Sequence, residues 1–233
     1  MVSVITCTKR PDFLQAILRN FENQTIEEKE LVLILHGFNK HLVKGLSDNP
    51  LIKVIELPFE EPLGSCINKG IRQAKYNIIA RFDDDDYYGA HYLEEALDEM
   101  ARHGADVVGK QSIFIYFKDE GLLGLLFKGK ENTFIKNIDD TLAGSTLVFK
   151  KVVAERVLFP PISVGEDAVF LEECKNLGIC MYASSPFNYV YIRYSSSHHT
   201  SDSDNRRLKK HCSPLVLTND FQNFLPESKP GFM

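Results

Sequence analysis

Along roughly the first hundred residues, short apolar runs alternate with stretches whose apolar positions recur every three or four residues. The run VSVIT at residues 2–6 is short and continuous, as in a strand buried on both faces. Pro11 then suits a first helical turn, and Leu14, Ile17, Leu18 and Phe21 follow at helical spacing. ELVLIL (30–35), stopped at His36 and Gly37, and IKVIEL (52–57) predict two further strands. GSCINKGIRQAK (64–75) predicts a helix, NIIARF (77–82) a fourth strand, and AHYLEEALDEMARHG (90–104) a helix closed by Gly104. Strand and helix alternating in this way predict an α/β fold with a Rossmann-like, mostly parallel central sheet and helices on both faces.

Beyond residue 110 the pattern loosens, which predicts a mixed and less regular C-terminal half. SIFIYF (112–117) and STLVFK (145–150) read as strands, and EDAVFLEECKNLG (166–178) as a helix. FNYVYIRY (187–194) alternates as an edge strand would. GLLGLLFKG (121–129) admits two readings, a packed hairpin or a flap over a substrate. After Ser195 come a Ser- and His-rich loop, the basic stretch NRRLKK and a Pro-containing tail. One domain is expected over 1–200, divided into 1–109 and 110–200, with 201–233 as a basic segment and tail.

Composition narrows the function classes. A chain of 233 residues, 44% apolar and 25% charged, has enough material for a substantial core. The net charge of −5 argues against coating nucleic acid, which needs excess Lys and Arg. Five cysteines, an odd number with no C-x-x-C pair, suggest a reducing compartment. The N-terminus lacks the apolar length of a signal peptide, and no apolar run approaches the ~20 residues of a membrane helix. A soluble, cytoplasmic protein is expected.

The chemistry concentrates at Asp83, Asp84, Asp85 and Asp86, directly after the fourth predicted strand. Four adjacent carboxylates repel one another unless positive charge sits among them. In open α/β sheets ligands bind at the carboxyl ends of the strands, where this run falls. Alternation would put Asp83 and Asp85 on one face and Asp84 and Asp86 on another. Two such carboxylates suit a hard cation, Mg²⁺ or Mn²⁺. The plainer alternative is a solvated turn with Asp86 capping the next helix. Glu166 and Asp167, at a predicted helix start, admit the same capping reading. His198 and His199 matter only if their loop folds back on the aspartates, where a neutral imidazole completes a metal's ligands.

Three blocks carry a resemblance: VSVITCTKRPDFL, PLGSCINKGIRQAKYNIIARFDDDDYYGAHYL and TLAGSTLVFKKVVAERVLFPPISVGEDAVFLEECKNLG. In order and spacing, over most of residues 2–200, they resemble family 2 glycosyltransferases of the GT-A fold, and more faintly bacterial enzymes of cell-surface or spore-coat glycan assembly. The resemblance implies a metal-dependent, inverting transfer of one sugar from a nucleoside-diphosphate sugar, a UDP-sugar first, to an acceptor hydroxyl. It makes 1–109 the nucleotide-binding half and 110–200 the acceptor half. It implies that Thr8, Lys9 and Arg10 line the nucleotide pocket, that Asn68 sits on the phosphate-side helix, and that Asp83 contacts the ribose side with Asp84 beside it. Asp84 also keeps its reading as a turn group. Asp85 would coordinate the metal, His199 or His198 would be a late ligand, and Asp167 would be the catalytic base.

Two departures stand out. His36 replaces the acidic residue that many members pair with uracil N3–H, and Ile67 replaces an Arg before Asn68, for which Arg10, Lys69 or Arg72 would have to compensate. With no Trp and no membrane helix, the chain lacks the marks of processive synthases. Two rivals remain: a haloacid-dehalogenase-like phosphatase using Asp83, Asp85, Ser145, Lys150 and Asp167, and a non-catalytic sugar-nucleotide-binding domain.

Overall fold

Successive side chains of a strand point to opposite faces, so a strand buried on both sides must feed two separate cores. β1 (Val2–Thr8) and β2 (Lys29–His36) do this. Val2, Val4, Leu31, Leu33 and Leu35 join one cluster with Ile17 and Phe21 of α1 (Leu14–Glu22) and Leu93, Ala96 and Met100 of α3 (Tyr92–His103). Ile5, Val32 and Ile34 join the other, against Ile67 and Ile71 of α2 (Leu63–Gln73), Val153 of α4 (Lys151–Arg156) and Phe170 and Leu171 of α5 (Glu166–Asn176). The computed structural model describes residues 1–39, 43, 45–137, 139–194 and 205–225.

The main sheet is completed by β3 (Ile52–Leu57), β4 (Ile78–Arg81), β6 (Val107–Gly109), β9 (Thr133–Phe134), β10 (Val148–Lys150) and β11 (Met181–Ala183). Its order is β3-β2-β1-β4-β10-β6-β11-β9. β3, β2, β1 and β4 are parallel, while β10 runs antiparallel between β4 and β6. This is the expected mixed α/β, GT-A-like architecture, with helices on both faces of a mostly parallel sheet. The carboxyl ends of β1, β2 and β4 lie together, and these ends frame the site.

A second sheet is made of β5 (Tyr87–Tyr88), β7 (Ile113–Phe117), β8 (Leu122–Leu126), β12 (Tyr189–Arg193) and β13 (Cys212–Leu217), in the order β13-β8-β7-β12-β5. One expectation is corrected here, and the choice between hairpin and flap for residues 121–129 falls to the hairpin. β12 is not an edge strand, because β7 pairs with one side of it and β5 with the other. Residues 121–129 are not a flap over the site: β8 hairpins with β7 and takes β13 on its far side, with Leu123 and Leu126 buried. Strands from both sides of residue 110 share both sheets.

Candidate active site

β4 ends at Arg81, and the chain leaves the sheet through Phe82 into a turn carrying the four aspartates. They alternate in burial, with Asp83 and Asp85 half-buried and Asp84 and Asp86 buried. A cavity of about 420 Å³ opens beside them, lined by Lys9, Arg10, His36, Asp83, Asp84, Asp85 and Asp167 among others. Seven residues expected at the site are thus brought to one space.

Two arginines hold the carboxylates apart from one another's charge. Arg10 donates from Nε to Asp84 Oδ2 at 3.0 Å, binds Asp84 Oδ1 through Nη2, and reaches Asp85 Oδ2 at 2.9 Å. Thr8 donates its hydroxyl to Asp84 at 2.6 Å and does not line the cavity. Arg81, buried in the cavity wall, donates to Asp83 Oδ1 at 3.1 Å. Its Nη1 lies 3.0 Å from Glu166 Oε1 but is misaligned for a hydrogen bond, so that contact is one of charge. Burial opposes the Arg81 charge, yet Asp83, Glu166 and Asp167 hold the guanidinium above its ordinary range. Burial lifts the Glu166 carboxyl despite Arg81. It also lifts Asp85, reinforced by Asp84 and opposed by Arg10, to about 6.

Asp86 turns inward. It accepts from the Tyr189 hydroxyl at 2.6 Å and from the Ile192 backbone N–H at 3.1 Å, which ties the aspartate turn to β12. Burial, then Asp85, raises its carboxyl well above the usual range. The helix-capping expectation is therefore corrected: the N-cap of α3 is His91, which makes no side-chain cap bond, and Asp86 bridges the turn to the second sheet instead.

Asp167 enters from the other side, on the first turn of α5 after Gly165, which is left-handed at φ 77°. It packs against Gly144, where an added Cβ would sit 1.9 Å from Asp167 Oδ2. Only glycine leaves that carboxylate its place. Ser145, next in the chain, shares a 2.6 Å hydrogen bond with the Tyr189 hydroxyl, and its carbonyl accepts from Tyr88 at 2.7 Å.

Some expected residues are elsewhere. Asn68 is buried and does not reach the cavity: its amide donates to the Phe159 carbonyl at 2.7 Å and accepts from the Phe159 N–H at 3.1 Å. Lys69 pairs with Glu61 at 2.8 Å, and Arg72 is exposed, so of the three cations considered as substitutes Arg10 alone lines the cavity. His36 stacks on Phe59, ring centroids 5.8 Å apart. His198 and His199 lie outside the described residues. The phosphatase constellation is not assembled, since Lys150 is spent on Asp106 at 2.8 Å and does not line the cavity.

Sequence reasoning gave no role to Arg81, Gly144 or Tyr189. The available signal was Arg81 itself, a cation inside an apolar strand that must find buried acidic partners. Nor did it join Cys7, His36 and Cys66. One ligand atom from each lies within 4.8 Å of the others, the only such group of three His, Cys, Asp or Glu side chains among the described residues.

Fold and cavity together define a GT-A-like α/β protein. The sequence model for glycosyl transferase family 2 matches residues 3–151, well over half of the chain, and the chain belongs to that family. It is 28% identical over 160 residues to the O-antigen biosynthesis glycosyltransferase WbnJ of Escherichia coli, covering 66% of this chain and 63% of that one. Across the curated relatives it matches, the alignments span between 44% and 63% of their length. S. aureus TarS 1-349 in complex with UDP superposes with a TM-score of 0.63 at 18% identity, over 82% of this chain and 60% of that one. The mannosyltransferase PcManGT of Pyrobaculum calidifontis, in complex with GDP-Man and Mn²⁺, gives 0.61 at 15% identity, over 82% and 56%. At these identities the likeness concerns the fold. No helix among the described residues is long and apolar enough to cross a membrane.

Proposed function

We propose that this chain transfers a single sugar from a nucleoside-diphosphate sugar to an acceptor hydroxyl with inversion, using a divalent cation, Mn²⁺ or Mg²⁺. The observation that carries the reading is the arrival of Asp85 and Asp167, from separate elements, at one cavity.

The donor set fits a hard cation. Asp85 is a carboxylate whose burial and acidic neighbour work against its charge, which a cation would offset. Asp83 engages Arg81 through Oδ1, and Oδ2 has no protein partner among the described contacts. Asp85 would hold the metal, with phosphate oxygens of the substrate completing its shell. Such a cation, when bound, neutralises the charge that builds on a departing diphosphate.

The remaining roles belong to the chain. Lys9 and Arg10 line the diphosphate side, Thr8 fixes Asp84 and so Arg10, Asp83 takes the ribose side, and His36 stands at the base end. Asp167 accepts the proton of the acceptor hydroxyl as its oxygen attacks the anomeric carbon, and one displacement inverts the configuration. In this reading residues 1–109 hold the donor and 110–200 carry most acceptor contacts, while 201–233 is the basic segment and tail, of which β13 closes one edge of the second sheet. Five free cysteines support a reducing, cytoplasmic setting.

The test is thermal shift against UDP-, GDP-, dTDP- and CDP-sugars, with and without Mn²⁺. A ligand at a hundred times its Kd stabilises by about 2.7 kcal/mol, roughly 5–10 °C for a chain of this size. One nucleotide class should act, with metal only, and Asp85→Asn should abolish the effect. Asp167→Asn separates an enzyme from a binding module: nucleotide release on acceptor addition should fall at least about 100-fold with the thermal shift kept. A panel with no shift under any metal condition overturns the reading.

A further inference from the structure

The end of the cavity opposite in chemistry to the aspartates is built from β1, β2 and α2. Cys7 sits near the end of β1, His36 at the end of the adjacent parallel strand β2, and Cys66 on the helix that packs over both. Their ligand atoms, one thiol sulfur each and one imidazole nitrogen, lie within 4.8 Å of one another. Cys66 is fully enclosed, while Cys7 and His36 line the cavity together with Leu63 and Ile67. All the cysteines are free thiols.

One atom in this group is out of place for an ordinary protein interior. His36 is only 9% exposed, and its Nε2 is buried with no hydrogen-bond partner. Buried polar atoms are almost always paired, so an unpartnered nitrogen on the imidazole that neighbours two thiols marks a donor set still open to a cation.

We propose that Cys7, His36 and Cys66 form a thiolate–imidazole site for Zn²⁺, separate from the carboxylate site at Asp85. Two sulfurs and one imidazole nitrogen are the donors of a borderline-soft cation and a poor match for Mg²⁺ or Mn²⁺, which prefer oxygen. In a tetrahedral zinc site with bonds of about 2.3 Å, neighbouring ligand atoms stand about 3.8 Å apart. The present spacing is at most about an ångström wider, within reach of side-chain rotation. Three protein ligands leave a fourth position, and it faces the cavity because Cys7 and His36 line it. Zinc binding releases the thiol protons to solvent. The site stands whether or not the cavity takes a nucleotide.

The experiment is a Co²⁺ titration of the full chain, reduced with a phosphine, followed by Zn²⁺ displacement. One equivalent of Co²⁺ should give thiolate-to-cobalt charge transfer with intense tetrahedral d–d bands, and one equivalent of Zn²⁺ should erase both. Cys7→Ser should remove most of the charge-transfer intensity and weaken Zn²⁺ binding at least about 100-fold, more than loss of an outer-shell partner does. His36→Gln should keep charge transfer and lose affinity. Asp85→Asn should change neither. Because Cys66→Ser sits in the core and could compromise folding, Zn²⁺ protection of Cys7 from alkylation in the unaltered protein serves as the second readout. Absence of charge transfer, its persistence in Cys7→Ser, its loss in Asp85→Asn, or alkylation of Cys7 unaffected by Zn²⁺ overturns the proposal.

Discussion

The aspartate turn has a cavity side and a protein side, and the two differ in what their carboxylates already hold. Asp83 and Asp85 are half-buried, Asp83 paired with Arg81 and Asp85 with Arg10. Asp84 and Asp86 are buried and satisfied by the fold, Asp84 in the cavity wall through Thr8 and Arg10, Asp86 in the interior through Tyr189 and Ile192. One run of identical residues thus performs two jobs, decided by the direction in which each side chain leaves the backbone. Stability should reside on the protein side and chemistry on the cavity side.

The sharpest way to break this contrast is Asp86→Ala. It leaves the half-buried Ile192 N–H without its acceptor and the Tyr189 hydroxyl with Ser145 alone, and it opens a void where the buried carboxylate stood, at a cost of about 3 kcal/mol, which lowers Tm by roughly 6–12 °C. Calorimetry showing less than about 2 °C of change would remove Asp86 from the scaffold.

Gly144→Ala comes next and tests the cavity side from across the opening. Its Cβ occupies space within 1.9 Å of Asp167 Oδ2, so the carboxylate must move. Under the proposed function turnover should fall about 100-fold, the usual consequence of an ångström of misplacement, with nucleotide binding kept. Steady-state rates and thermal shift on the same preparation check both halves.

Asp84→Asn should be milder, costing about 1–2 kcal/mol, since Arg10 keeps its contact with Asp85. A urea midpoint shift at constant slope reads it out. The smallest stability effect belongs to Asp85→Asn. Removing a half-buried carboxylate beside Asp84 relieves repulsion, so the metal-free melting temperature should hold or rise slightly, while any Mn²⁺-dependent shift disappears. A large drop in metal-free stability would erase the distinction between the two sides.

Much of the first half was legible because its signals are local. Apolar runs marked β1 to β4, helical spacing marked α1 to α3, and Gly104 closes α3 in the left-handed conformation at φ 63°. The aspartates were legible too, together with their division into alternate faces. What sequence could not supply depends on partners far along the chain. β12 reads as an edge strand until β5, about a hundred residues earlier, pairs with it. Asp86 resembles a cap until Tyr189 arrives, and Asn68 resembles a ligand-facing amide until Phe159 takes both its groups. Cys7, His36 and Cys66 fall in separate elements, and nothing in their spacing announces that β1, β2 and α2 converge.

The antiparallel insertion of β10 between β4 and β6 has a consequence for how the molecule comes into being. A chain emerging from synthesis has all four aspartates by residue 86, but β4 remains an open edge until residues 148–150 arrive to pair with it. During that interval a short apolar strand exposes unpaired N–H and C=O groups, a template for joining another nascent chain. A fragment ending before residue 144 would therefore carry the acidic turn intact in sequence while leaving β4 without the strand that closes its edge.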